Sequence, residues 1–332
     1  MHRILILLVL FCFPVLARTY HTTVTPLPGE TLAGPCRFEM SLPGANKTVR
    51  GVFVVFDRGR DIMKFYSDPD VTAFARRNDF GLLMAHQCPA KNAPGGPEEM
   101  DMNPSHGVGR VLLSALDQFA KQSGHPEIKS AKLVLLGFSG TGALFAHFVG
   151  WAPNRVVASI IANPGHYDPV GVDKVQLPES AFGVPELVIA GGADKVSGTQ
   201  RPYGYFSSYQ QRGAPWAFVV QNRTPHCCVI NVKSLMLSWL EEILRLRKPS
   251  PAKPLAAIND SVGWLGFMRT CPAEVKDTWG NSTWNVCDAS IQRAGQTAPF
   301  GQVPAGWFPG YHVALAWLTF VKEAQHPVTS LP

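Results

Sequence analysis

Ser139 stands in "LVLLGFSGTG", residues 133–142, where an apolar run ends in Gly137-Phe138-Ser139-Gly140. A hydroxyl at the end of a buried strand, flanked by glycines, suits a turn that lifts the side chain out of the sheet. Glycine removes the clash with the neighbouring strand and helix. A serine hydroxyl is a weak nucleophile and needs a general base, itself oriented by a carboxylate. Asp194 follows "ELVIAGGA", and His226 follows "WAFVVQN" a little later. Acyl transfer through a Ser-His-Asp relay is the chemistry these residue types allow.

Rival residues exist. Asp168, in "NPGHYDP", is a second candidate acid, and Asp194 could instead cap a helix. His86, His106, His147, His166 and His312 compete with His226. Only His226 comes after both acids and just after the last core strand. An oxyanion would need two N–H donors. Gly140 offers one at a helix start. The loop "DRGRD" offers a second through Arg58 or Gly59, and position favours Arg58. Two arginines there could also contact an anionic substrate group, or could pair with Asp57 or Asp61.

The elements that must carry these groups follow from periodicity. "RFEMSL" and "VRGVFVVF" flank the turn "PGANK" and read as an antiparallel hairpin. "DPDVTAFARRNDF" reads as a helix capped by Asp68 or Asp70, and "GLLMAH" as a buried strand. "GVGRVLLSALDQFAKQSG" has helical spacing that Gly124 can end. After the strand carrying Ser139 come the helix "TGALFAHFVGWA", the strands "RVVASIIANP" and "PELVIAGGAD", and the helix "YGYFSSYQQRG". The strand "PWAFVVQN" and a long helix from Val229 complete the series. Strands alternating with helices predict an α/β fold, a mostly parallel sheet flanked by helices on both faces. The strands are continuous apolar runs, as burial on both sides requires. A proline-rich linker, "PSPAKP", then opens a C-terminal extension over 249–332. It holds two cysteines, several aromatics and one more helix near "YHVALAWLTFVKEA". Its tryptophans read as packing onto the core, with a wall for the site as the alternative.

"GFSGTG", "IAGGAD" and "NRTPHCC", in this order on this alternation, resemble the α/β-hydrolase superfamily over roughly Thr31 to Lys248. The resemblance implies a serine hydrolase with Ser139 as nucleophile, His226 as base and Asp194 as its carboxylate partner, using no cofactor and no metal. It departs from G-x-S-x-G at Thr141, with the glycine one position later at Gly142. A carboxylic-ester substrate is expected. A peptidase or acyltransferase on the same scaffold and a non-catalytic binding protein are the alternatives. The insertion at 165–184 is too short for a full helical lid, so an open site is expected.

Composition bounds the rest. The chain has 332 residues, 46% hydrophobic and 16% charged, which is globular. The net charge of +6 is scattered, and no basic block suits a phosphate backbone, so nucleic acid is not an expected partner. "MHRILILLVLFCFPVLA" reads as a signal peptide cleaved after Ala17, which predicts a secreted protein with a catalytic domain over 18–248. No later stretch is long and apolar enough to span a membrane. Removing Cys12 with that leader leaves six cysteines, an even count that fits disulfides. Cys271 and Cys287 bracket a local loop and are expected to pair. Cys227 and Cys228 could pair outward or with each other. A zinc site is the rival use. Asn46, Asn222, Asn259 and Asn281 stand in N-x-Ser/Thr sequons. Oligomeric state is left open.

Overall fold

The computed structural model describes residues 18–43, 47–88, 90, 103–164 and 175–323, without the side chains of Gln87 and Glu274. The expected signal peptide, the sequon at Asn46, His166, Asp168 and the start of the 165–184 insertion lie outside the described residues.

The centre of the molecule is a run of strands buried along their whole length. These are β3 (Gly51–Phe56), β6 (Val156–Ala162), β7 (Glu186–Gly191) and β8 (Ala217–Gln221). With β4 (Phe80–Gln87) and β5 (Lys132–Phe138) they form six parallel strands in the order β4-β3-β5-β6-β7-β8. α-Helices lie in every described connection of these strands except that between β6 and β7, and one more follows β8. They are α1 (Arg60–Tyr66), α2 (Pro69–Arg77), α3 (Val108–Ser123), α4 (Gly140–Trp151), α5 (Gln200–Gln210) and α6 (Lys233–Arg247). Asp68 caps α2 by accepting the Asp70 N–H at 2.9 Å, and Gly124 ends α3 in the left-handed conformation.

Antiparallel strands flank this centre on both sides. β1 (Thr19–Val24) pairs with β2 (Cys36–Ser41), and β2 pairs with β4. The expected hairpin between "RFEMSL" and "VRGVFVVF" is therefore not formed, because β4 lies between β2 and β3. The burial pattern gives the reason. β3 is apolar on both faces and belongs inside the sheet, whereas β2 alternates buried and accessible residues and suits its flank.

The C-terminal extension continues the same sheet. β11 (Val303–Phe308) lies against β8, followed outward by β9 (Trp264–Lys276) and β10 (Ser282–Arg293), giving eleven strands among the described residues. Helix α7 (Tyr311–Lys322) packs on β8, β9 and β10. The β11–β8 junction depends on Gly306, at φ 103°, where a Cβ would stand 2.0 Å from the Trp216 carbonyl oxygen. The Trp307 N–H donates to that same oxygen at 2.7 Å. Trp317 and Trp307 are buried, the packing role expected of the extension's aromatics. The tryptophans are not all alike: Trp279 is exposed.

Candidate active site

The Ser139 turn is built from its own neighbours. Ser139 has φ 54° and ψ −125°, a strained conformation for a residue with a Cβ. A Cβ on Gly137 would lie 2.2 Å from the Thr141 carbonyl oxygen, so no other residue fits there. Gly142 faces β6, with the Ile161 methyl 3.2 Å from where its Cβ would be. Thr141 occupies the position where the superfamily pattern has glycine, and its hydroxyl bridges the turn. It accepts the Phe138 N–H and donates to the Phe138 carbonyl, both at 2.8 Å. The departure at Thr141 thus adds a brace rather than a clash.

Three predicted residues meet. His226 Nε2 lies 3.0 Å from Ser139 Oγ, and His226 Nδ1 lies 2.8 Å from Asp194 Oδ2. Asp194 is fully buried, while the His226 side chain is 19% exposed. Asp194 follows β7 and His226 follows β8, at the carboxyl edge where Ser139 also stands. A buried carboxylate needs donors, and Asp194 has them. Oδ1 accepts the N–H groups of Val196 (2.7 Å) and Ser197 (2.9 Å), and Oδ2 accepts Asn163 Nδ2 at 2.9 Å. Ser197 Oγ, 3.4 Å from His226 Nδ1, donates to the Asn163 carbonyl. Asn163 and Ser197 were not foreseen. The only trace of Asn163 in the sequence is a polar residue directly after an apolar strand, which many loops share, and Ser197 has none.

Other histidines are placed elsewhere. His86 lies 3.7 Å from Glu39 and lines a cavity of about 830 Å³ with Arg37 and Asp57. His312 faces Glu242, and His147 lies within α4. Of the two candidates for the second oxyanion donor, Gly59 gives its N–H to Asp57 Oδ1 at 3.0 Å. The Arg58 guanidinium lies against Gly140, with its nearest atom 3.6 Å from where a Cβ would be. Gly140 opens α4, where first-turn N–H groups have no partner within the helix.

The histidine loop is held from outside. Arg223 N–H donates to Asn285 Oδ1 at 2.7 Å, and that oxygen lies 2.1 Å from where a Cβ on Gly192 would be. Asn222 is 8% exposed and makes three bonds to the extension. Its side-chain nitrogen donates to the carbonyls of Val286 (3.0 Å) and Val321 (2.7 Å), and its oxygen accepts the Val286 N–H at 2.8 Å. A glycan on this sequon is incompatible with those bonds.

The six described cysteines pair as Cys36–Cys88, Cys227–Cys228 and Cys271–Cys287. The last is the expected local pair. Paired in this way, the cysteines are not thiolate ligands. Among the described residues no cluster of three His, Cys, Asp or Glu is placed to hold a metal. No described helix is long and apolar enough to cross a membrane.

No protein-family model and no curated protein matches the chain. Among solved structures it is similar to a ferulic acid esterase, at 12% identity over 69% of this chain and 98% of that one, TM-score 0.49. It is similar to brefeldin A esterase, a bacterial homologue of human hormone-sensitive lipase, at 14% identity over 73% and 81%, TM-score 0.47. It is also similar to the S-formylglutathione hydrolase of Staphylococcus aureus, at 10% identity over 67% and 99%, TM-score 0.46. The assignment of fold rests on the chain's own topology: six parallel strands crossed by helices, a serine on the turn between β5 and α4, and an acid and a histidine after β7 and β8 give this protein the α/β-hydrolase fold.

Proposed function

We propose that the protein is a serine hydrolase that cleaves carboxylic esters through an acyl-enzyme. The observation that carries this reading is the unbroken relay Ser139 Oγ–His226 Nε2 and His226 Nδ1–Asp194 Oδ2 at hydrogen-bond distances. In the first step Ser139 Oγ bonds to the ester carbonyl carbon and passes its proton to His226 Nε2. Asp194 fixes the ring and stabilises the imidazolium. The N–H groups of Gly140 and Arg58 hold the oxyanion. The alcohol leaves with the proton from His226, and Ser139 keeps the acyl group. Water then attacks, His226 takes its proton and returns it to Ser139, and the carboxylic acid departs. No cofactor or metal enters these steps.

A fluorophosphonate probe tests the reading. Wild-type protein is expected to be labelled and Ser139→Ala is not. Equal labelling of the two sinks it. A series of p-nitrophenyl esters set against matched anilides separates an esterase from a peptidase on the same scaffold. We also propose export after cleavage at Ala17. Three disulfides support an oxidising compartment. Exported protein is expected to begin at Arg18, which N-terminal sequencing checks.

A further inference from the structure

The proton relay does not use the residues that immediately follow His226. Cys227 and Cys228 are bonded to each other, closing a small ring through the peptide between them. Cys228 lies in the left-handed region at φ 75°, ψ 38°, rare for a residue with a Cβ. Just after it, the N–H of Val229 donates to the carboxylate of Asp61. The acceptor lies 168 positions before Val229. Asp61 stands in the first turn of α1, directly after the Asp57–Gly59 loop that carries Arg58. Burial raises the pKa of this carboxyl, and the Val229 N–H opposes that rise without cancelling it.

We propose that the Cys227–Cys228 ring and the Asp61 carboxylate form a two-part clip, with Asp61 a positioning residue that locks the His226 loop to the oxyanion loop. The proposal rests on the serine hydrolase reading above. The ring restricts the Cys227–Cys228 backbone and favours the turn that presents the Val229 N–H to Asp61. The carboxylate then fixes that turn against α1. His226, the neighbour of Cys227, is aligned to Ser139 and to the Arg58 N–H by the same contact. Displacement of a catalytic group by about 1 Å costs on the order of a hundredfold in rate, so the clip acts on turnover more than on substrate binding.

Asp61→Leu removes the acceptor, and Asp61→Asn keeps one oxygen. Cys227→Ala/Cys228→Gly opens the ring but tolerates the left-handed turn, and Cys227→Ala/Cys228→Ala does not tolerate it. Asp61→Leu and the double alanine are expected to lower kcat for a p-nitrophenyl ester by about ten- to a hundredfold, with KM within about twofold. Asp61→Asn and the alanine–glycine variant are expected to recover much of that loss. Hydrogen exchange of the peptide holding residues 228–230 is read in parallel and needs no turnover. Its protection is expected to fall in Asp61→Leu while that of β5 and β6 stays unchanged. Unchanged protection, a loss confined to KM, or equal kcat in the alanine–alanine and alanine–glycine variants overturns the clip. Asp61→Asn and the ring variants keep the test decisive if Asp61→Leu does not fold. Failure of the hydrolase reading shows separately, as wild-type protein that the fluorophosphonate does not label.

Discussion

Ser139 and His226 lie 3.0 Å apart, yet the chain delivers them by different means. The serine turn is closed within six residues, by Gly137, the Thr141 hydroxyl and Gly142. The histidine loop is closed by residues far from it in sequence: Asp61 on one side, and Asn285, Val286 and Val321 on the other. A local turn is specified by short-range sterics. A loop pinned by remote partners inherits its geometry from the whole fold. The serine side is therefore expected to fail only through its own residues, and the histidine side through many.

The largest effect is expected at the relay itself. Ser139→Ala and His226→Ala should each cost about 10⁴- to 10⁶-fold in kcat, and the double variant no more than either alone, because the pair acts as a unit. An additive double variant would break the picture of one relay. Asp194→Asn comes next, at about 10⁴-fold, since an amide at the Asp194 position cannot hold the same imidazole tautomer. Asn222→Ala strands a buried N–H and two carbonyls, and should cost about 2–3 kcal/mol of stability in urea unfolding. It should also lower kcat, although it lies outside the relay. Unchanged kcat in this variant would mean the extension does not brace the site. Thr141→Val removes one bridging hydroxyl, and about 1–2 kcal/mol is expected from thermal unfolding, with the loss of labelling rate confined to the serine side. The smallest effect is a control away from both. Glu186, at the start of β7, is buried with the Tyr205 hydroxyl as its donor, and burial pushes its carboxyl pKa well up. Its stability contribution is complete below the ordinary carboxylate pKa and is lost as pH rises from there through the raised value. Glu186→Gln should flatten that slope in pH-dependent melting and leave kcat unchanged.

What was legible in the sequence follows the same division. The serine turn, the six central strands and most crossover helices were readable because continuous apolar runs and glycine spacing are local signals. Asp194 and His226 were readable by their order after β7 and β8. The pairing of β2 was misread, because adjacency in sequence suggested a hairpin where the apolar run of β3 required two parallel neighbours. Helix α1 was missed; it has only 7 residues, from Arg60 to Tyr66, and follows a glycine-containing loop. Strands β9 to β11 were missed because their sequences, "WLGFMRTCPAEVK" among them, mix proline, charge and apolar residues. Such strands owe their conformation to pairing rather than to composition. Asn163, Asp61 and Asn285 carry no motif, and only the assembled sheet shows what they touch.

The bonds from Asn222 to Val286 and Val321 have a consequence in time. A chain made from its N-terminus completes the serine turn long before residue 321 exists. The histidine loop gains its last brace only when α7 has been synthesised and has docked on β8. Competence for hydrolysis is thus expected to arrive late in biogenesis. On the proposed hydrolase reading, a nascent or C-terminally clipped chain would carry a finished serine turn with an unfinished histidine loop, and would be poorly active.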